Sequence, residues 1–202
     1  MLQIIFAIAI SYLIGSLPTA YIFGRVLKGV DIRQHGSGNV GATNAMRILG
    51  KGPGIVVLLL DILKGFLAVM LLPRLFKTPS EITIILIGLA CVSGHIWTVF
   101  LGFKGGKGIA ATLGVLLALG ARIPGLSPIL GLVFLVWLVF FLLFRIVSLA
   151  SILGGLSLPI FTLAFSRSKV LIALSLALAL LAIWRHKSNI SRLLQGKESR
   201  II

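Results

Sequence analysis

The sequence predicts an all-α integral membrane protein, a bundle of about seven transmembrane helices, not all of which need cross fully. Three observations carry this. Of the 202 residues, 58% are hydrophobic and only 11% are charged, where soluble domains carry about 25% charged residues. Apolar runs approaching the roughly 20 residues needed to cross a bilayer recur along the chain. The basic residues fall mainly between those runs rather than within them.

Taken in order, residues 2–23 supply the first span. It is expected to be retained, because Met1-Leu2-Gln3-Ile4 offers no basic leader for a cleaved signal. Gly15 and Ser16 permit close helix packing there, and Arg25 and Lys28 mark the end. A polar loop follows, to about Pro53. The second span, about 54–72, contains Asp61 and Lys64, whose i,i+3 spacing puts them on one helix face. Charges inside a membrane helix are costly unless paired or facing a polar cavity. The two readings are a structural ion pair, or an Asp61 that orients a basic residue of the site. Pro73 to Glu81 forms a short loop. The third span, about 82–101, carries His95 near its end, most simply as a packing histidine. The run 109–121 is short for a straight crossing and reads as tilted or partly inserted. Pro124 and Pro128 bracket the next start, in a run that reaches Phe144. The sixth covers about 146–165 with a kink expected at Pro159. The seventh covers about 170–184. No linker or low-complexity tract divides the chain, so residues 1–202 read as one domain.

The chain has 19 Lys and Arg against 4 Asp and Glu. With loops alternating sides, Arg74, Lys77, Arg122, Arg167 and Lys169 fall on one side and Lys64 lies within a helix. The remaining 13 fall on the other side. The positive-inside rule then places the N-terminus outside and the C-terminus in the cytoplasm. Seven crossings give this parity, and so would five. In a soluble chain a net charge of +15 would suggest nucleic acid; between apolar spans it points to topology and to anionic lipids or ligands.

Three polar segments fall on the cytoplasmic side. The first is Gly36-Ser37-Gly38-Asn39-Val40-Gly41-Ala42-Thr43-Asn44, followed by Arg47. Its glycines allow positive φ and let backbone N–H groups converge. Ser37, Asn39, Thr43 and Asn44 add neutral hydrogen-bonding groups, and Arg47 adds a planar fork suited to phosphate. The second is Phe103-Lys104-Gly105-Gly106-Lys107-Gly108. It lacks the spacing and the Ser/Thr of a nucleotide-binding phosphate loop. Close backbone approach, two lysines and a following helix N-terminus still favour an anion. The third is Arg185-His186-Lys187-Ser188-Asn189, with His186 and Asn189 at i,i+3 on a continuing helix. His186 reads as a general base, a phosphate donor or an interfacial side chain.

Absences narrow the chemistry. Asp31 and Glu198 are the only carboxylates expected on that side. A carboxylate metal site or acid/base pair is therefore not expected. The single Cys91 rules out an intrachain disulfide and a thiolate cluster. No His is followed five residues later by Asp, so the dyad of many glycerolipid acyltransferases is missing. An enzyme built this way needs a substrate that is already activated.

The three segments, in order, spacing and side, resemble the three motifs of the bacterial membrane acyl-phosphate:glycerol-3-phosphate acyltransferases. The third motif of the resemblance extends through Ile190, Arg192 and Leu193. Asp61-Ile62-Leu63-Lys64-Gly65, Gly94-His95 and Ser148-Leu149-Ala150-Ser151 also match, so the likeness covers essentially the whole chain. Two departures stand out: Thr98 where the family usually shows Pro, and Ala111 where it shows Thr. The resemblance implies a seven-helix fold in the bacterial inner membrane, with the active site facing the cytoplasm. It implies acyl transfer from acyl phosphate to the first hydroxyl of glycerol 3-phosphate, giving lysophosphatidic acid and phosphate. No cofactor or metal is implied, nor a nucleic-acid partner. Membrane lipids surround the enzyme, and the enzyme that makes acyl phosphate is an expected functional partner.

On this reading Ser37, Lys104, His186 and Asn189 are expected at the reacting groups. Gly36, Gly38, Asn39, Gly41, Thr43, Asn44, Arg47, Gly105, Gly106 and Lys107 are expected to bind substrate. The first loop would cradle acyl phosphate. Arg47, Lys104, Lys107, His186 and Asn189 would hold glycerol 3-phosphate. The proton of the attacking hydroxyl would pass to His186 or to the donor phosphate. A phosphate-ester transporter would also want intramembrane charges and basic loops. Against it, the motifs cluster at one face and no inverted repeat is visible. A non-catalytic headgroup binder would need the basic tail but not the glycine loops.

Overall fold

The structure, a computed structural model, describes residues 1–200. It is all-helical and divides into two compact units, Met1–Leu119 and the chain from Gly120 onward.

The first unit opens with α1 (Leu2–Ser16) and α2 (Thr19–Lys28). The single span expected over 2–23 is broken at Pro18, which has no N–H to continue the helical ladder. At the break the Leu17 carbonyl accepts the Thr19 N–H at 3.1 Å and also the Lys64 ammonium at 2.9 Å. Beyond α2, which ends on Gly29 at φ 66°, a 3₁₀ turn at Ile32–Gln34 leads to the glycine loop and α3 (Ala42–Leu49). Then come α4 (Lys51–Leu75), α5 (Glu81–Ile96), a second 3₁₀ turn at Val99–Leu101 and α6 (Ile109–Gly120). Ser80 caps α5 by accepting the Thr83 N–H at 3.2 Å, which satisfies one orphan donor of its first turn.

Small residues decide how closely these helices approach. A Cβ on Gly15 would collide with the Cys91 carbonyl, and one on Gly94 with the Tyr12 carbonyl. Thus α1 and α5 lie backbone against backbone, as small residues permit in membrane helices. Hydroxyls tie the same seam. Ser11 donates to the Ile87 carbonyl at 2.6 Å, Tyr12 to Trp97 at 2.6 Å and Thr98 to Ser16 at 2.5 Å. The Thr98 bond is one that the proline usual at this position in the resembled family cannot make. Between α4 and α6, Gly65 lies against the Ala111 carbonyl and Gly114 against that of Ile62.

Four polar side chains meet among these helices. Asp61 Oδ1 accepts from Thr19 Oγ1 at 2.7 Å, lies 2.8 Å from Lys64 Nζ and lies 3.6 Å from His95 Nδ1. Asp61, Lys64 and His95 are all buried. The ion pair expected from the i,i+3 spacing is present, and His95 faces it rather than a purely apolar packing site.

The second unit holds α7 (Leu126–Phe144), α8 (Val147–Phe165), α9 (Lys169–Arg185) and α10 (Lys187–Leu194). Trp137 stacks on Phe141 with ring centroids 5.0 Å apart. It packs over Gly154 of α8 and donates its indole N–H to Ser151 Oγ at 3.3 Å. The α8 helix runs through Pro159 as one element. The helix expected to continue past Arg185 instead bends by 60° between α9 and α10, with His186 at the junction.

Each of the seven expected apolar runs is helical. Among the described residues five stretches are long and apolar enough to cross a membrane, counting α1 with α2 as one. The bent α9–α10 pair would make a sixth, and α6, at 12 residues, is a shorter apolar helix.

Candidate active site

In the first unit the glycine loop is closed by one side chain. Asn44, in the first turn of α3, accepts the Ser37 N–H through Oδ1 at 2.9 Å. Its Nδ2 donates to the carbonyls of Ile32 and His35, both at 3.1 Å. Asn44 is buried, so its amide is spent holding the loop. Asn44, expected among the ligand-contacting groups, clasps the backbone of the loop in this structure. Gly36 has φ 59° and Gly38 φ 70°, the left-handed region that favours glycine. A Cβ on Gly36 would also collide with Asn44 Oδ1. Ser37 is exposed, Gly38, Asn39, Gly41 and Thr43 are half-buried, and Arg47 projects from the last turn of α3 into the open.

The second loop leaves the Val99–Leu101 turn through Gly102 and Phe103, both at φ 61°. It then folds onto the end of α5. The Gly105 N–H donates to the Ile96 carbonyl and the Gly106 N–H to the His95 carbonyl, both at 3.0 Å. A Cβ on Gly105 would strike the His95 carbonyl. One on Gly106 would strike the His95 ring at Nε2 and come within 2.9 Å of the Val40 carbonyl. Both glycines are therefore required by close approach. Lys104 is exposed and Lys107 half-buried just ahead of α6.

The contact with Val40 joins the two loops. Val40, from the first, and Leu101, which precedes the second, share one apolar core with Ile32, Ala45 and Leu49. The Lys28 ammonium adds a brace from α2 by donating to the Ile48 carbonyl at 2.6 Å, near the C-terminal end of α3, where a cation is favoured. The structure thus places Ser37, Lys104 and Lys107 on two loops built over a common core, with Arg47 on the helix that follows the first. Such loops can present N–H groups and cations to an anion.

The carboxylate nearest the first loop in sequence is already neutralised. Asp31 caps its 3₁₀ turn by accepting the Arg33 N–H at 3.0 Å. It also pairs with the Arg33 guanidinium at 2.7 Å and with Arg25 at 3.6 Å. The Arg33 hydrogen bond is the main cause that holds its carboxyl down to about 2, against the opposing effect of burial. Arg47 and Lys104 make no ion pair among the described residues. A group whose pKa falls on folding stabilises above its unfolded pKa, about 4 for Asp, and loses that contribution as pH falls towards the folded value. Thermal stability in detergent should therefore weaken between about pH 4 and pH 2, and Asp31→Asn should flatten that part of the profile. An unchanged profile would show that the pair adds no stability.

In the second unit the third segment is organised by Glu198, for which the sequence suggests no role. Glu198 accepts from Ser148 Oγ at 2.8 Å, Asn189 Nδ2 at 2.6 Å and Arg192 Nε at 2.6 Å. Burial pushes its carboxyl upward, but the bonds from Arg192, Asn189 and Ser148 outweigh that and leave it lowered. The only hint in the sequence is a lone acid in a basic tail. His186 Nδ1 lies 2.8 Å from the Ala182 carbonyl. A carbonyl only accepts, so Nδ1 carries the proton, and in a neutral ring Nε2 is the basic nitrogen. His186 and Asn189 are both buried. Among the described residues no group of three or more His, Cys, Asp or Glu is arranged to hold a metal.

A family model described as glycerol-3-phosphate acyltransferase matches residues 5–196. A glycerol-3-phosphate acyltransferase of Synechococcus sp. (strain CC9902) is 46% identical over 201 residues, covering 100% of this chain and 96% of that protein. One of Desulforudis audaxviator is 47% identical over 202 residues, covering 98% and 96%. Among solved structures, PlsY (YgiH), described as an integral membrane glycerol 3-phosphate acyltransferase, matches in its glycerol 3-phosphate form with a TM-score of 0.86. It is 42% identical, and the match covers 98% of this chain and 96% of that one. The lysophosphatidic acid form of the same protein matches with a TM-score of 0.83 over 98% and 95% of the two chains.

Proposed function

The chain belongs to the glycerol-3-phosphate acyltransferase family, a family of multi-pass membrane acyltransferases, and from that premise we propose that it uses acyl phosphate as donor. It transfers a fatty acyl group to the sn-1 hydroxyl of glycerol 3-phosphate, giving 1-acyl-glycerol 3-phosphate and phosphate. The observation that carries this is the meeting of two glycine loops at Val40 and Gly106. Lys104 stands on the second and Arg47 on the helix after the first, both unneutralised by any carboxylate among the described residues. Both substrates bear a phosphate, and so does the leaving group.

The hydroxyl oxygen attacks the acyl carbonyl carbon, and the carbon–oxygen bond to phosphate breaks. The electron pair leaves with phosphate, which takes the hydroxyl proton and departs as the hydrogen phosphate dianion. Acyl phosphate is a mixed anhydride with a good leaving group, so no covalent enzyme intermediate is required. Cations and N–H groups fixed before the reaction stabilise the developing charge without reorganising. The first loop, with Ser37, Gly38, Asn39 and Thr43, is assigned to the acyl phosphate. Arg47, Lys104 and Lys107 are assigned to glycerol 3-phosphate. The 13 basic residues gathered on one side of the expected spans support an active site facing the cytoplasm, where the enzyme that makes acyl phosphate would supply the donor.

The reading is tested with purified protein, labelled glycerol 3-phosphate and either acyl phosphate or acyl-CoA. Labelled lysophosphatidic acid should appear with acyl phosphate alone. Product from acyl-CoA but not acyl phosphate would overturn the donor assignment. Counterflow of label into liposomes without lipid product would favour transport.

A further inference from the structure

The buried Asp61–Lys64–His95 group lies outside the loops assigned to substrate, yet it reaches one of them. Asp61 is held on one oxygen by Thr19 at 2.7 Å and by Lys64 at 2.8 Å. Lys64 is held in turn by the Leu17 carbonyl at the Pro18 break. This leaves Asp61 in one position, with His95 Nδ1 3.6 Å from the same oxygen. The other edge of the His95 ring, at Nε2, lies directly against Gly106. The backbone carbonyl of His95 accepts the Gly106 N–H at 3.0 Å. One residue therefore meets the second loop twice: its carbonyl accepts the Gly106 N–H and its ring packs against Gly106, with the buried Asp61 carboxylate beside the ring's other edge.

We propose that Asp61 and His95 are positioning residues that pin the second glycine loop, so that Lys104 and Lys107 meet the substrate phosphate in a fixed geometry. They do not touch the reacting atoms. The proposal rests on the reading of that loop as a phosphate site only for its kinetic consequence; the pinning itself is a property of the protein without substrate. Three features of the chain are explained together. Gly106 cannot carry a side chain because the ring occupies that space. Asp61 and Lys64 are kept buried although a charged pair inside a membrane protein is costly. The Leu17 carbonyl at the Pro18 break holds Lys64.

The test is amide hydrogen exchange of the segment 102–108 in detergent without substrate, combined with steady-state kinetics. The double variant Asp61→Asn/Lys64→Met keeps the site neutral and close in volume. Exchange in 102–108 should accelerate by about tenfold or more while peptides elsewhere in α1 and α5 stay protected. KM for glycerol 3-phosphate should rise about 10- to 100-fold, with kcat falling less than about threefold and KM for acyl phosphate unchanged. Thr19→Val removes only one support of Asp61 and should move the same readouts in the same direction by about threefold, which keeps the test decisive should the double variant fail to fold. Wild-type exchange at 102–108 in both folded variants, or in Thr19→Val alone where it is the only one that folds, would overturn the proposal. Accelerated exchange with unchanged kinetics would uphold the pinning and overturn the assignment of that loop to glycerol 3-phosphate.

Discussion

Replacing Lys104 with alanine is expected to lower kcat/KM for glycerol 3-phosphate by about 10²- to 10³-fold, the loss of roughly 3–4 kcal/mol of transition-state stabilisation. The side chain is exposed and makes no hydrogen bond or ion pair within the described residues. The substitution should therefore leave the melting temperature in detergent nearly unchanged. That separation is what distinguishes a charge held ready for a ligand from one that supports the fold. The loop beneath is fixed by Gly105 and Gly106 on the end of α5, so Lys104→Arg should recover only part of the rate, because a planar fork does not replace a point charge at a set distance. Wild-type kinetics for Lys104→Ala would remove this residue from the site.

The second large effect is expected at Asn44, and it has the opposite signature. Asn44→Ala leaves the Ser37 N–H and the carbonyls of Ile32 and His35 without the partners seen here. Each lost hydrogen bond costs on the order of 1 kcal/mol, so a loss of about 2–3 kcal/mol is expected. Activity should fall about 10²-fold as well, because the loop that presents Ser37 loosens. Asn44→Asp should not rescue either property: it keeps an acceptor for Ser37 but aims an oxygen at two carbonyls. If Asn44→Ala instead keeps its melting temperature and changes only a KM, the side chain contacts ligand and the clasp is not its main role.

These two residues show what the sequence makes legible. The apolar runs, the two glycine loops and the basic residues on them can all be read from spacing and composition, because those properties are local. Lys104 is such a case. Asn44 is not: its bonds reach back 7, 9 and 12 positions, and only the closed loop brings those groups within range. Glu198 is similar, since its three partners come from α8 and α10. The bend at His186 breaks an uninterrupted helical pattern without a proline or glycine to announce it. His95 reads as a packing histidine because nothing in the sequence relates it to Asp61 or to Gly106. The break at Pro18 has a local cause, but the apolar character that continues across it masks the interruption.

The glycine contacts also constrain where hydrocarbon can go. At Gly15 and Gly94 the seam between α1 and α5 has no room for even one added carbon, and the same holds at Gly65 and Gly114 between α4 and α6. A fatty tail cannot thread through either seam at these points. The acyl chain of the proposed donor is thus kept out of these two seams, and only its carboxyl end needs to reach the glycine loops.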